Sequence, residues 1–318
     1  MRAVVVGGGS WGSVFAALLA ERGHQVTLAC RDALQARAIA ETGRNPRYVR
    51  DAQLAAVSAT TVENAPVAEA ELVCLAVPSR VFAEVARALP GQAPVLSLAK
   101  GLDPATGQRL STAVRGRPVA VLSGPNHAEE IAAGLPAAAV IASEDEELAM
   151  RLQEELMSPR FRVYVNADVV GVELCAATKN VIALAAGAVD GLEVGDNAKA
   201  AIITRGLAEM ARLGEAAGGR PETFSGLAGM GDLVVTCWSR HSRNRRAGEL
   251  IARGASPQEA LAEIAMAVEG LSTAPALRDL ARGLGVELPI TEAVCQILSG
   301  ASLTELATGL MGRKPTGE

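Results

Sequence analysis

The sequence predicts an α/β domain built on a parallel sheet, followed by an all-α C-terminal domain. Short, apolar, β-branched runs alternate with helix-like stretches through the first half of the chain, which is typical of buried parallel strands. After residue 166 the strand pattern stops and only helix-like stretches follow. With 318 residues the chain is long enough for two domains. We therefore expect one domain at residues 1–166 and a helical domain at residues 167–318.

The first strand, Arg2–Val6, runs directly into a glycine-rich loop. Residues 7–12 have the spacing G-x-G-x-x-G, and a helix-like stretch follows them. In this position Gly7 permits a tight turn, Gly9 lets a pyrophosphate approach the backbone, and Gly12 allows the helix to pack closely on the strand. The pyrophosphate would lie against the free N–H groups at the helix N-terminus. The sequence therefore predicts a Rossmann-like dinucleotide-binding domain.

The second strand, predicted at residues 24–30, ends where the adenosine ribose of a dinucleotide is expected. NAD-selective folds commonly place an acidic residue there, on the ribose 2′-hydroxyl. Here Arg31 follows the strand and Asp32 comes next. A guanidinium suits a 2′-phosphate, so Arg31 somewhat favours NADPH, although it could instead stack on the adenine. Asp32 keeps NAD open, and the expected cofactor is NADP or NAD.

Three further strands are predicted to end in polar or hinge residues at one edge of the sheet. They are the stretches at residues 71–77, 94–99 and 118–122. Ligands of open α/β sheets bind beyond the carboxyl ends of the strands, so Lys100, directly after the second stretch, is a candidate ligand-binding cation. The alternative is an exposed loop lysine. His127 follows the third stretch, and we interpret it as opening a helix at residues 128–133 and packing there, rather than as a general base.

The remaining elements are predicted from hydrophobic periodicity and helix caps. Strands at residues 137–142 and 160–165 are expected to flank a helix at residues 144–157. Helices of the second domain are expected at residues 168–187, 197–217, 256–269, 274–284, 290–298 and 302–310. Residues 313–318 are expected to form a disordered tail.

Lys179 lies in an apolar, small-residue helix of the second domain. Lysine is scarce, with four in the chain against 26 arginines. Burying an ammonium group is costly and lowers its pKa, which suits a group that donates and accepts a proton near neutral pH. Alternatively, the amine reaches water from the helix edge. On its own this residue leaves both interpretations open.

Two polar segments of the second domain could complete a site. Residues 226–233 read as a glycine-rich turn that presents the carboxylate of Asp232. Ser242, Arg243 and Asn244 place a hydroxyl, a guanidinium and an amide side by side, which suits a phosphate group. A solvated basic patch or a nucleic-acid contact is the alternative. The net charge of −5 and the 3% of aromatic residues argue against nucleic acid.

Composition excludes several classes of protein. Hydrophobic residues make up 49% of the chain and charged residues 20%, which excludes a disordered chain. The five cysteines are far apart and form no C-x-x-C pair, so we expect buried thiols in a reducing cytoplasm and no metal site. No segment offers about 18 unbroken apolar residues, so stable membrane insertion is not expected. A homodimer through the helical domain is expected, because two-fold dimers are the commonest soluble oligomers.

Taken together, the motifs of this chain resemble those of the bacterial NAD(P)-dependent sn-glycerol-3-phosphate dehydrogenase family. The shared segments keep their order over almost the whole chain. They are residues 7–12, Lys100-Gly101, Ser123-Gly124-Pro125, Ala177-Thr178-Lys179-Asn180, Thr204-Arg205-Gly206-Leu207, Gly229-Met230-Gly231-Asp232-Leu233, Ser242-Arg243-Asn244 and Val268-Glu269-Gly270. The resemblance implies an oxidoreductase that interconverts sn-glycerol 3-phosphate and dihydroxyacetone phosphate by hydride transfer with NAD(P)(H). It also implies that the enzyme supplies glycerol 3-phosphate for phospholipid synthesis.

The resemblance further implies roles for individual residues, with Lys179 as the catalytic proton donor and acceptor. The implied cofactor contacts lie in both domains: Gly7, Gly9, Ser10, Trp11, Gly12, Arg31, Lys100, Ala128, Arg243 and Glu269. The implied substrate contacts are Lys100, Gly124, Asn126, Lys179, Asp232, Ser242, Arg243 and Asn244. Within this set Lys100 and Arg243 are expected to place like charge near Lys179 and to lower its pKa, while Asp232 orients it.

Two other functions remain open at the level of sequence. A different two-domain dehydrogenase with a lysine catalyst could act on a hydroxy acid or a keto acid, but it would not need the phosphate-suited Ser242, Arg243 and Asn244. A non-catalytic NAD(P)-binding sensor would not need Lys179, Asp232 and Arg243 together. Oxidation of NADPH when dihydroxyacetone phosphate is added distinguishes these functions.

Overall fold

The computed structural model describes residues 1–50 and 52–301. The helix predicted at residues 302–310 and the tail at residues 313–318 lie outside the described residues. Within the described part, an eight-stranded sheet with its covering helices is followed by a helical C-terminal half. The predicted fold class, a Rossmann-like α/β domain followed by an all-α domain, is confirmed. The strands end at Asn166 and the next helix begins at Val169, while the domain boundary at residue 166 stays a prediction.

The strands form one sheet that is mostly parallel. They are β1 Arg2–Val6, β2 Gln25–Cys30, β3 Val57–Thr61, β4 Leu72–Leu75, β5 Val95–Ser97, β6 Val119–Ser123, β7 Ala137–Ser143 and β8 Phe161–Asn166. Their order across the sheet is β3-β2-β1-β4-β5-β6-β7-β8, and only β6 and β7 pair in antiparallel fashion. The chain changes direction across the sheet between β1 and β4, and such a switch point opens the crevice where dinucleotides bind.

The helices divide between the two halves of the chain. The first half contains α1 Ser10–Glu21, α2 Ala33–Thr42, α3 Ser79–Ala88, α4 Ala128–Ala132 and α5 Glu146–Leu156. The second half contains α6 Val169–Gly191, α7 Asp196–Ala216, α8 Pro221–Ser225, α9 Asp232–Trp238, α10 Arg243–Ala252, α11 Pro257–Ile264, α12 Glu269–Gly283 and α13 Pro289–Leu298.

The sequence pattern misses three elements of the first domain, α2, β3 and α3. Strand β3 has the sequence VSATT and is partly exposed along most of its length, so it lacks the apolar run that marks the other strands. Helix α2 is capped by Asp32, whose side chain accepts hydrogen bonds from the N–H groups of Leu34 and Gln35. Asp32, the residue that keeps NAD open at the level of sequence, is therefore also the N-cap of α2.

Several helix predictions in the second domain are wrong. The helix predicted at residues 256–269 ends at Ile264, because Ala265 adopts a left-handed backbone with φ of 54°. Helix α12 begins at Glu269 rather than at residue 274, and it accommodates Pro275 in its interior. Helices α8, α9 and α10 are not predicted. The first two are short, and α10 begins in an arginine-rich stretch without apolar periodicity.

Helix α6 is the central element of the helical half. Helices α7, α9, α10 and α12 pack around it. By length and composition alone α6 could cross a membrane, but 89% of its most apolar 18-residue window is buried inside the protein. A helix that is apolar all round is expected at the centre of such a domain. Lys179 therefore lies in the core helix of the second half.

Helices α6 and α10 approach each other through glycines. A Cβ atom on Gly187 of α6 would overlap the carbonyl oxygen of Arg245, and a Cβ atom on Gly248 of α10 would overlap that of Leu184. The backbones are therefore in direct contact. This contact holds α10 beside the C-terminal half of α6.

Replacing Gly187 by Ala should lower the free energy of unfolding by about 1–3 kcal/mol, because the added methyl group forces α10 away from α6. Gly283→Ala is the matched control, since a Cβ atom on this helical glycine would meet nothing within 4 Å. The control should be neutral or slightly stabilising. Urea unfolding of both variants measures the difference, and equal stabilities would contradict the proposed packing requirement.

Candidate active site

The glycine loop has the geometry that a bound pyrophosphate requires. Gly7 has φ of 121°, and a Cβ atom there would overlap the carbonyl oxygen of Ala76. A Cβ atom on Gly12 would overlap the carbonyl oxygen of Gly7, whereas one on Gly9 would meet nothing within 4 Å. Helix α1 begins at Ser10, so its first N–H groups border the open space over Gly9.

Trp11 supports the same interpretation of the loop. Its ring packs edge-on against Phe15, with 5.6 Å between ring centroids. The indole Nε1 is buried and has no hydrogen-bond partner within the protein. A buried donor without a partner is costly and rare in native proteins. The residues present therefore fit a dinucleotide that covers this loop.

The carboxyl end of β2 presents Arg31 and Asp32 in different ways. Arg31 is exposed and makes no hydrogen bond or ion pair with the described residues. Asp32 caps α2 and forms an ion pair with Arg47, at 2.7 Å. The backbone N–H of Gln35, with help from Arg47, holds the pKa of Asp32 below its usual range. Asp32 is therefore ionised and already engaged within the protein.

One buried carboxylate pairs with two lysines from different halves of the chain. Lys179 Nζ lies 2.5 Å from Oδ1 of Asp232, and Lys100 Nζ lies 3.0 Å from Oδ2. Asp232 is 2% exposed and Lys179 is 4% exposed. Lys179 is thus buried, as its apolar helix predicts, and it does not reach water from the helix edge.

The carboxyl ends of β5 and β6 complete this cluster. Lys100 Nζ also donates to Oδ1 of Asn126, at 2.9 Å, and to the carbonyl oxygen of Gly124, at 3.2 Å. The hydroxyl of Ser123, a residue that the sequence analysis does not assign to the site, donates to Asp232 at 3.3 Å. The amide nitrogen of Asn126 is buried without a partner. Five of the predicted substrate contacts therefore lie together, namely Lys100, Gly124, Asn126, Lys179 and Asp232.

The charges of this cluster set two unusual pKa values. Burial is the main cause that lowers the pKa of Lys179 to about 7, and the Lys100 ammonium acts in the same direction while Asp232 opposes it. Burial alone would raise the pKa of Asp232, but the two lysines bring it down to about 2. Lys179 can therefore exchange a proton near neutral pH while Asp232 stays ionised. Lys100, rather than Arg243, is the neighbouring cation that lowers the pKa of Lys179.

The predicted glycine-rich turn at residues 226–233 is instead helical. Leu227–Gly231 forms one π-helical turn, in which a Cβ atom on Gly229 would overlap the backbone of Phe224, and Asp232 then begins α9. One turn further, Thr236 accepts a hydrogen bond from Lys179 Nζ at 3.1 Å. Thr236 is not predicted from the sequence, because its i, i+4 spacing to Asp232 brings the two residues together only on a helix.

His127 lies at the start of α4, as predicted, and occupies its N-cap position. Burial, reinforced by the Lys179 ammonium, lowers its pKa to about 4, so the imidazole is neutral at physiological pH. Its Nε2 is buried without a partner, and its ring centroid lies 6.3 Å from that of His241. This environment agrees with packing rather than with a general base.

Ser242, Arg243 and Asn244 form the start of α10. The hydroxyl of Ser242 caps the helix by accepting the N–H of Arg245. Asn244 is buried, where its side chain donates to Oδ1 of Asn180 and accepts the N–H of Gly270, both at 2.9 Å. Arg243 is exposed and makes no hydrogen bond or ion pair with the described residues. The guanidinium is therefore free to bind an anion, while its neighbours fix the helix.

Two further predicted cofactor contacts, Glu269 and Ala128, lie at the starts of α12 and α4. Glu269, the first residue of α12, accepts hydrogen bonds from the N–H and the hydroxyl of Ser79 at the start of α3. Ala128 is buried in the first turn of α4, within the core of the sheet domain. Ser79 is another contact that sequence reasoning misses, because nothing in a Pro-Ser pair indicates a partner 190 residues away.

Comparisons with known proteins agree with this geometry. The family model described as NAD-dependent glycerol-3-phosphate dehydrogenase N-terminus matches residues 2–149, and the corresponding C-terminus model matches residues 168–307. Glycerol-3-phosphate dehydrogenase [NAD(P)+] of Moorella thermoacetica is 46% identical, over 99% of this chain and 96% of that protein. The Chlorobium limicola protein of the same name is 45% identical, over 100% of this chain and 99% of its own length. The crystal structure of glycerol-3-phosphate dehydrogenase from Coxiella burnetii has a TM-score of 0.93 and 37% identity, covering 98% of this chain and 99% of that chain.

Replacing Asp232 by Asn should lower the pKa of Lys179 by about one pH unit or more, because the carboxylate favours the ammonium form. Carbon-13 NMR of the labelled lysine side chains measures the pKa of Lys179. The chain has only four lysines, so their signals are few enough to assign. Lys179→Met identifies the signal, and Lys199, which pairs with Asp190, is the internal reference. In the wild-type protein the Lys179 signal should titrate near pH 7. Titration near pH 10.5 would show that burial does not lower the pKa of Lys179.

Proposed function

We infer the function of this chain from one premise: the chain belongs to the NAD-dependent glycerol-3-phosphate dehydrogenase family. It is an NAD(P)-dependent oxidoreductase that interconverts sn-glycerol 3-phosphate and dihydroxyacetone phosphate. The observation that carries the catalytic assignment is the burial of Lys179 beside Asp232 and Lys100, at the carboxyl edge of a dinucleotide-binding sheet. The residue assignments that follow are our proposal.

Dinucleotide binding is assigned to both sides of the cleft. Gly7, Gly9, Ser10, Trp11 and Gly12 would hold the pyrophosphate side, and the unpartnered indole nitrogen of Trp11 supports this. Arg31, Lys100, Ala128, Arg243 and Glu269 complete the proposed set. The bound nicotinamide accepts or supplies the hydride. The exposed, uncommitted guanidinium of Arg31 favours NADPH, with NAD also accepted.

Lys179 is proposed as the acid and base of the reaction. In reduction its ammonium donates a proton to the carbonyl oxygen of dihydroxyacetone phosphate. In oxidation its neutral amine takes the proton of the 2-hydroxyl of glycerol 3-phosphate. A pKa of about 7 makes both forms available near neutral pH. Asp232 and Thr236 orient the amine through the contacts described above, and burial keeps water away from it.

Lys100 and Asn126 would hold the polar end of the substrate next to Lys179. All three N–H donors of Lys100 already contact protein acceptors, so Lys100 contributes its positive charge, whereas Asn126 has a buried amide nitrogen with no partner. An unpaired donor of this kind loses its penalty when a substrate oxygen accepts from it. The hydroxyl and carbonyl oxygens of the substrate are suitable acceptors.

The substrate phosphate is assigned to the start of α10. Arg243 offers a free guanidinium, and the hydroxyl of Ser242 can still donate although its oxygen caps the helix. The second N–H of the Asn244 amide is a further donor. The N-terminus of a ten-residue helix adds a favourable field for an anion.

The simplest test mixes the protein with NADPH and dihydroxyacetone phosphate and follows the near-ultraviolet absorbance of NADPH. A fall in absorbance is expected, and its absence would contradict the function. Pyruvate and ketopantoate in place of dihydroxyacetone phosphate should give no comparable rate. A higher rate with either keto acid would favour the alternative two-domain dehydrogenase.

Three properties of the protein in the cell remain part of the proposal. Supply of glycerol 3-phosphate for phospholipid synthesis follows from the reaction in the reducing direction. The five free cysteines are buried, which suits a cytoplasmic protein.

A homodimer through the helical half is supported by exposed Met230, Val234 and Trp238, which line a groove of about 1060 Å³.

Lys179→Ala should lower kcat by at least about 10²-fold, because it removes the buried amine that is assigned to exchange the proton. The affinity for NADPH, measured by calorimetry on the same variant, should change little, since Lys179 lies among the substrate contacts. Loss of cofactor binding would point to misfolding instead. Turnover near that of wild type would remove Lys179 from the mechanism.

Arg243→Gln should raise KM for dihydroxyacetone phosphate about tenfold or more, the usual effect of losing a charge-assisted hydrogen bond. Arg246→Gln is the matched control, because Arg246 lies on the same helix but pairs with Glu263 at the surface. Activity with dihydroxyacetone, which lacks the phosphate, is measured for the same variants and compared with activity on dihydroxyacetone phosphate. If the Arg243 variant loses activity equally with both substrates, the phosphate assignment is wrong.

A further inference from the structure

Arg47 lies in the loop that follows α2, beside the carboxyl end of β2. Its guanidinium is 2.7 Å from Oδ2 of Asp32, the residue directly after Arg31. Arg44 and Arg50 of the same loop hydrogen-bond to backbone carbonyl oxygens within that loop. Arg47 is thus the arginine of this loop whose side chain reaches the predicted ribose position.

Both oxygens of the Asp32 carboxylate are occupied. Oδ1 accepts the N–H groups of Leu34 and Gln35 at the start of α2, and Oδ2 pairs with Arg47. An acidic residue that selects NAD presents its oxygen to the ribose 2′-hydroxyl. Leu34, Gln35 and Arg47 already use three of the about four acceptor positions of the Asp32 carboxylate. Its position therefore serves to hold a guanidinium.

The backbone of Arg47 is tied to the glycine loop by one buried side chain. Oδ1 of Asn45 accepts the N–H of Arg47 at 3.1 Å, while Nδ2 of Asn45 donates to the carbonyl oxygen of Gly8 at 3.0 Å and to the hydroxyl of Ser13 at 2.8 Å. Asn45 is fully buried. The backbone of Arg47 is thus fixed relative to the loop that receives the pyrophosphate.

The charges at this end of β2 suit a phosphate. Arg31 and Arg47 carry two positive charges against the single negative charge of Asp32. The Arg47 side chain is 57% exposed, and its pairing with Asp32 uses only part of its five N–H donors. A phosphate monoester carries up to two negative charges near neutral pH, and two guanidinium groups match its oxygens well.

We propose that Arg47 is a second guanidinium for the 2′-phosphate of NADP(H), held in place by Asp32 and Asn45, and that it sets cofactor specificity together with Arg31. The inference rests on the proposed function, which places the dinucleotide on the glycine loop. It assigns to Asp32 a role opposite to that of the acidic residue in an NAD-selective fold.

The test measures binding of two cofactor fragments to the intact protein by calorimetry. Adenosine 2′,5′-bisphosphate carries the 2′-phosphate, and adenosine 5′-monophosphate lacks it. Arg47→Ala should weaken the bisphosphate about tenfold and leave the monophosphate within about twofold. Arg37→Ala is the matched control, because Arg37 is exposed on α2 and has no hydrogen bond or ion pair among residues 1–50 and 52–301. The control should leave both affinities within about twofold.

Steady-state kinetics give a second readout. The ratio of kcat/KM for NADPH to that for NADH should fall about tenfold in Arg47→Ala and in Arg31→Ala. An equal loss of both fragments in Arg47→Ala would show that Arg47 stacks on the adenine, and it would overturn the proposal. An unchanged fragment ratio would overturn it as well. Both of these results leave the proposed function intact, whereas a wild type that binds neither fragment and oxidises no NADPH would overturn the proposed function itself.

Discussion

Two lysines from different halves of the chain share one buried carboxylate, and the candidate site depends on that contact. Lys100 follows β5, Lys179 lies in the core helix α6, and Asp232 begins α9. With both amines protonated, the buried cluster carries one net positive charge, which a low-dielectric environment makes costly. Loss of the Lys179 proton removes that charge and leaves the pair of Lys100 and Asp232 intact. The low pKa of Lys179 is therefore a property of all three residues.

Close packing of helices fixes the rest of the site relative to Lys179. A Cβ atom on Gly270 would lie 2.6 Å from the carbonyl oxygen of Asn180, so α12 touches the backbone of α6 one residue after the lysine. The side chain of Asn244 bridges Asn180 and Gly270, which ties the start of α10 to the same point. The N-terminus of α10, which is assigned to the phosphate, is thus held in position by the turn of α6 that carries Lys179.

The sequence predicts those features of the fold and the site that depend on a few neighbouring residues. Buried parallel strands, the glycine loop and a lysine in an apolar helix are visible in a few neighbouring residues, and the structure contains all three. Contacts such as Thr236 to Lys179 or Ser79 to Glu269 depend on how distant segments pack. The π-helical turn at Leu227–Gly231, just before α9, shows the limit most clearly. Its glycines predict a turn, and its helical form depends on close packing of Gly229 against the backbone of Phe224.

Hydrogen bonds and ion pairs between the sheet domain and the helical half hold the two halves of the site in place. Glu173 of α6 is buried, and it accepts hydrogen bonds from Arg109 and from the N–H and hydroxyl of Ser111. Burial raises its pKa, so the carboxylate form depends on those donors. Glu269 and Asp232 likewise take donors from the sheet domain. Removing one of these donors while the interface stays closed would leave a buried carboxylate without its partner, at a cost of about 3–5 kcal/mol. The distance between Lys100 and Lys179 is therefore held by the whole interface as well as by Asp232.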